Sequence, residues 1–152
     1  MKIPSLKSRK TVFLAVGNIM RADDAFGPLV YGHLKSCKSQ NFMPLDGAEM
    51  PENFAAKITS FAPDFLIIAD ASALNAPAGT LQIIDEADII NPAMSTHSLP
   101  LDIMIKFLKK DLPQLQIIFI TAAAQYTDFD CPPSQKITAA AKETAAAIIA
   151  KL

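Results

Sequence analysis

The chain has 152 residues, 51% of them hydrophobic and 19% charged, with a formal net charge of −1. That length falls in the range of about 100–200 residues per domain, and one such domain buries roughly 68–70% of the surface its unfolded form exposes. The high apolar fraction excludes global disorder, and 14 basic against 15 acidic residues exclude nucleic-acid binding by bulk charge.

The charge is unevenly spread. Lys2, Lys7, Arg9 and Lys10 stand in the first ten positions, so residues 11–152 hold 10 basic against 15 acidic side chains, a net of −5. We expect a loose basic tail over residues 1–10 and a single domain over 11–152. The apolar run Val12–Val16 after the tail is five residues, shorter than the core of a signal peptide. No stretch approaches the length of a membrane span. Cys37 and Cys131, without CxxC spacing, suit a reducing compartment. The expectation is a soluble cytoplasmic monomer that binds neither nucleic acid nor membrane.

In chain order, Thr11–Val16 (TVFLAV) reads as a first strand, and Pro28–Lys38 has helical periodicity. Asn41–Leu45 is a weaker strand ending at Asp46-Gly47, followed by a helix over Glu52–Phe61. Phe65–Ala69 (FLIIA) and Thr80–Ile84 (TLQII) are further strands, then a helix over Pro100–Lys110 and a strand over Leu115–Thr121 (LQIIFIT). The strand segments are short and rich in β-branched or aromatic residues, as in sheets buried on both faces. The helices start at or near Pro28, Pro51, Pro100 and Pro133, where a missing N–H costs nothing. The last, Pro133–Lys151, is alanine-rich, with Ile137, Ala141, Ile148 and Leu152 on one stripe. Alternating strands and helices predict an α/β fold, a three-layer α/β/α sandwich with a mostly parallel five-stranded sheet.

Ligands of open α/β sheets bind beyond the carboxyl ends of the strands. The first strand is followed by Gly17-Asn18, then Asp23-Asp24; the second ends in Asp46-Gly47, the third in Asp70, and His97 precedes the third long helix. Each has a simpler structural role open to it. Asp24 could cap a helix, Asp46-Gly47 could be only a turn, Asp70 could cap the turn that follows, and His97 could be an ordinary loop residue. His33 and Cys37, at i and i+4, could pair as thiol and imidazole or simply pack on a helix face. Two carboxylates about 4 Å apart repel by roughly 4 kcal/mol at an effective dielectric constant of 20, so a site holding Asp24 and Asp70 calls for a proton or a cation. Two carboxylates and an imidazole suit a divalent metal such as zinc or nickel with open positions. Phosphates would meet acids where a glycine cradle belongs, and neither GxGxxG nor GxxxxGK[ST] occurs. HExxH and GxSxG are absent as well.

At these residues the chain resembles the nickel–iron hydrogenase maturation endopeptidases, most closely the hydrogenase 3 branch. The matching segments are VGNIMRADDAFGPLV (Val16–Val30), LDGAEMPEN (Leu45–Asn53), LIIADAS (Leu66–Ser72) and THSLPL (Thr96–Leu101), in family order and spacing. The resemblance implies removal of a C-terminal extension from the hydrogenase large-subunit precursor after nickel has entered it. It implies metal contacts from Asp24, Asp70 and His97, with nickel supplied by the precursor and zinc or another divalent ion able to substitute. It also places the acid proposed for recognition or cleavage at Asp46, which could serve as general base toward water. The Gln-Pro often found after the family's last strand is not matched in Thr121–Tyr126 (TAAAQY), and Ala25 and Ala48 stand where the family usually has glycine and, at 48, glycine or threonine. They keep open an alternative, a non-proteolytic module that grips a nickel protein without cutting it. A flavodoxin-like nucleotide or flavin binder is a more distant alternative.

Overall fold

In a computed structural model the protein is described over residues 3–37, 39–84 and 98–152. Five strands, β1 (Thr11–Ala15), β2 (Phe42–Asp46), β3 (Phe65–Ser72), β4 (Leu81–Ile84) and β5 (Gln116–Ala123), form one sheet in the order β2-β1-β3-β5-β4. All neighbours are parallel except β4, which runs antiparallel along the β5 edge. The helices are α1 (Phe26–Leu34), α2 (Ala55–Phe61), α3 (Ser98–Asp111) and α4 (Gln135–Ile149). Single 3₁₀ turns precede the first two, at Ala22–Ala25 and Pro51–Phe54.

Strand alternation divides the core into two layers. Phe13, Ala15, Ile67, Ala69, Ala71, Ile118 and Ile120 pack with Phe26 and Val30 of α1 and with Ile137, Ala141 and Ile148 of α4. Val12, Leu14, Leu66, Ile68 and Phe119 face the other way, toward Ile58 of α2 and Leu101, Met104 and Leu108 of α3. The three-layer α/β/α sandwich expected from the sequence is the fold observed. Among the described residues no helix is long and apolar enough to cross a membrane.

Several expectations need correction. The basic segment is not loose at its apolar positions: Ile3 and Leu6 are buried against the α1–α4 layer, and the Leu6 N–H donates to Lys151 O at 2.9 Å. Removing two aliphatic side chains from water outweighs the attraction of water for the lysines beside them. The first helix ends at Leu34, so Cys37 lies beyond it and packs against the core while His33 is exposed; helix-face pairing of the two is lost. The third strand does not stop before Asp70, because Asp70, Ala71 and Ser72 continue the ladder with Thr121, Ala122 and Ala123. The last helix is capped by Ser134, whose Oγ accepts from Ile137 N at 3.2 Å, rather than begun by Pro133.

Close approach of α1 to the sheet depends on Gly27. A Cβ there would stand 2.2 Å from Val16 O and 2.4 Å from Ala69 O, both backbone atoms that cannot move aside. Gly32, on the same helix, would meet nothing within 4 Å. Gly27→Ala is therefore expected to cost about 3 kcal/mol or more, whereas Gly32→Ala should stabilise by about 0.5–1 kcal/mol through helix propensity. Urea unfolding of the two variants checks the pair.

Candidate active site

The order β2-β1-β3-β5-β4 places a topological switch point between β1 and β3: the chain leaves β1 for β2 on one side and returns to β3 on the other. Ligands of such sheets bind in the crevice at that point. Two carboxylates flank it. Asp24, 2% exposed, sits on the 3₁₀ turn after β1, and Asp70, fully buried, lies on β3 one residue past the last β1 pairing. The turn packs against β3, and the Val16 N–H donates to Ala69 O at 2.9 Å, closing the crevice at its base.

The loop bearing Asp24 is built by short-range hydrogen bonds. The Asn18 N–H donates to Asp24 Oδ2 at 2.9 Å. Asn18 Oδ1 accepts from Met20 N at 2.8 Å, and Asn18 O accepts from Arg21 N at 3.0 Å. Gly17 makes the loop possible: its φ is +123°, and a Cβ would lie 2.1 Å from Asp24 O. Ala25 has φ −69°, an ordinary right-handed value, so the alanine there carries no backbone strain. Ala48 differs, with φ +46°; alanine in this region is disfavoured by roughly 1–2 kcal/mol. Its carbonyl accepts from Gly17 N at 3.0 Å, which ties the β2 loop to the β1 loop.

The paired acids separate in role. Asp23 is fully buried and turned away from the crevice. Its Oδ1 accepts from Ser134 N at 2.7 Å and its Oδ2 from Gln125 N at 2.8 Å, while its own N–H donates to Tyr126 O at 3.1 Å. Ser134 is the N-cap of α4, so the carboxylate also meets the positive end of that helix. Nothing in the spacing of the sequence marks Asp23 as a structural acid; its partners lie 102 and 111 residues away. Arg21 reinforces the same join, donating from Nε to Thr127 O at 3.3 Å and lying 4.8 Å from the Phe129 ring centroid.

Asp46 stands apart. It ends β2 opposite Ala15, with Oδ1 accepting from Ala48 N at 3.3 Å, and it is exposed. Two strand spacings separate β2 from β3, about 10 Å. Alternation puts Asp46 on the Phe42 and Ala15 face of the sheet and Asp70 on the Leu66 and Ile68 face. The fold thus sets Asp24 on a turn packed against β3 and Asp70 on β3 itself, with Asp46 one strand further out at the end of β2. His97 lies outside the described residues, next in sequence to Ser98 at the start of α3. Among the described residues no three potential metal ligands come together. Around the crevice, Ile19, Met20 and Met50 are each more than half exposed in the loops after β1 and β2, an apolar rim suited to a protein partner.

The fold is a three-layer α/β/α sandwich with two buried carboxylates near its switch point and exposed apolar residues in the adjoining loops. Comparison with known proteins gives the class. The family model for hydrogenase maturation protease (HycI) matches residues 30–151. The hydrogenase 3 maturation protease of Escherichia coli K12 is 35% identical over 127 residues, 83% of this chain and 80% of that one. A putative hydrogenase maturation protease of Methanocaldococcus jannaschii is 31% identical over 146 residues, 90% and 85% of the two chains. Among solved structures, the [NiFe] hydrogenase maturation protease HycI of Thermococcus kodakarensis KOD1 superposes with a TM-score of 0.87 at 32% identity, covering 97% and 96%. The chain belongs to the HycI family of hydrogenase maturation proteases.

The role given to Asp23 is checked by stability. Asp23→Ala leaves two partly buried N–H donors without their carboxylate, at about 1–3 kcal/mol each at most, so a loss of about 2–5 kcal/mol is expected in denaturant unfolding. Asp23→Asn, which keeps one acceptor oxygen, should lose about half of that.

Proposed function

We propose that the protein is an endopeptidase that removes the C-terminal extension of a nickel–iron hydrogenase large-subunit precursor, and that it recognises the nickel already seated there. Family membership supports peptidase action in hydrogenase maturation. The observation that carries the finer reading is the buried pair Asp24 and Asp70 on either side of the switch point. Two carboxylate donors, joined by the imidazole of His97, form a set that fits a divalent metal while leaving positions for the precursor's own ligands. Zinc or another divalent ion would meet the same donors.

Each part of the chain then has a task. The apolar rim of Ile19, Met20 and Met50 covers the precursor surface around its metal. Asp24 and Asp70 meet the nickel, so a precursor lacking it forfeits these contacts and docks poorly. Asp46, exposed at the crevice margin, takes a proton from the attacking water once the docked precursor shields it from solvent. A general base acts best in such a setting. The positions that departed from the family pattern do not argue against cutting. Ala25 is unstrained, and Ala48 keeps its loop through the bond to Gly17.

The decisive experiment incubates the protein with nickel-loaded and nickel-free precursor and weighs the large subunit. Mass loss only in the loaded sample is expected; none in either makes the protein a binding module. Asp24→Asn, Asp70→Asn and His97→Ala should each slow processing by more than about 100-fold, since even groups behind metal ligands contribute about 10–100-fold. Thermal melts should stay near wild type, as asparagine at position 24 can still accept from Asn18 N. Wild-type rates in all three variants would remove the site assignment.

Asp46→Asn separates recognition from cleavage. Processing should fall by about 10²–10⁴-fold while the loaded precursor still co-elutes with the protein in size-exclusion chromatography. Loss of co-elution would instead make Asp46 a recognition residue.

A further inference from the structure

Past Asp70 the carboxyl edge of the sheet opens into a cavity of about 170 Å³ lined by Ala73, Ala124, Gln125, Tyr126 and Thr127. The metal contacts and Asp46 leave it unused. Ala73 is three residues beyond Asp70, so the cavity lies within about 11 Å of it along the chain.

Its wall is held in place at every residue from 124 to 127. The Ala124 N–H donates to Ser72 O at 3.0 Å, and the Gln125 N–H donates to Asp23 Oδ2 at 2.8 Å. Tyr126 O accepts from Asp23 N at 3.1 Å, and its hydroxyl donates to Pro132 O at 3.3 Å. Thr127 O accepts from Arg21 Nε at 3.3 Å. Asp23 and Arg21 belong to the same loop as Asp24, so the wall and that carboxylate are fixed relative to each other.

Size and lining restrict the occupant. Pockets for drug-sized ligands run from about 300 to 1,000 Å³, so this cavity is too small for a nucleotide or a flavin and suits one side chain. Two methyl groups, an amide, a phenol and a hydroxyl line it, and none of the five residues carries a charge.

We infer that the cavity is a specificity pocket that takes one uncharged side chain of the precursor's extended segment, within about three residues of the contact at Asp24 and Asp70. The inference rests on the precursor-processing reading and adds to it the position and chemistry of a subsite. Asp23 acts here as a positioning residue, through the wall it fixes.

The test fills the pocket from exposed positions. Ala73→Phe and Gln125→Phe replace exposed side chains and should leave the thermal melt unchanged. Binding of nickel-loaded precursor to the full chain is measured by surface plasmon resonance, and cleavage separately by mass. Each variant should weaken binding by about tenfold or more. An alanine scan of the precursor around its cut should find one uncharged residue whose loss weakens binding to wild type but not to Ala73→Phe, the coupling expected of groups in contact. Binding within about twofold of wild type in both variants overturns the pocket, whether or not the precursor is cut. Tight but uncut precursor on the wild type overturns the endopeptidase reading, and the pocket then stands on the binding ratio.

Discussion

Two neighbouring carboxylates, Asp23 and Asp24, leave solvent in different directions, and the carboxyl edge of the sheet is organised by that divergence. They sit on a 3₁₀ turn, where three residues complete a revolution and adjacent side chains stand about 120° apart. One acid therefore points to the β5–α4 connection while the other turns onto its own loop. Asp23 collects two backbone N–H groups and the positive end of α4. An ionised group in that position is satisfied by the fold. Asp24 accepts an N–H from its own loop, on a turn that packs against β3, the strand bearing Asp70. The same dipeptide thus supplies one acid to structure and, on the proposed reading, one to chemistry.

Such a turn needs the backbone to pass close to the sheet, and the glycines pay for the approach. Gly17 permits a left-handed step directly beneath Asp24, and Gly27 lets α1 lie on the carbonyls of Val16 and Ala69. Ala22 and Ala48 take positive φ values of 43° and 46° without being glycine. Strained backbone of this kind collects at sites where geometry matters more than local comfort. Ala48 is held by its bond to Gly17, so strain in the β2 loop is borne by the β1 loop, and the margin carrying Asp46 is coupled to the crevice carrying Asp24.

Most of the architecture was legible because it rests on periodicity. Short β-branched runs alternating with amphipathic segments produce all five strands and four helices near their expected places. The exceptions have local causes. β3 runs on through Asp70 because β5 offers Thr121 as a partner, and a polar residue inside a parallel strand is invisible to hydrophobic pattern. The anchoring of residues 3–10 depends on Ile3 and Leu6 finding the α1–α4 layer, a tertiary event that lysines nearby in sequence conceal. At the site, Asp24 and Asp70 were traceable as acids following strands. Asp23 could not be told from Asp24, because its role is set by donors more than 100 residues away. Asp46 was traceable as a strand end, but its exposure and its place on the opposite face of the sheet came only with register.

The near-zero net charge has a structural reading. Arg9 and Lys10 stand at the opposite end of the sheet from the carboxyl edge: the Lys10 backbone N–H and the Arg9 guanidinium both bond Asp64, just ahead of β3. Asp24, Asp46 and Asp70, part of the body's excess of acid, stand at the carboxyl edge. A protein with a resident metal would have to neutralise that excess itself. One whose partner arrives with a cation already bound gains from leaving the acids in place, because they attract the loaded partner more than the empty one. On the proposed reading the apolar rim supplies affinity and the carboxylates supply discrimination. On that reading a single domain with so small a site is enough, because the feature it recognises is carried by the substrate.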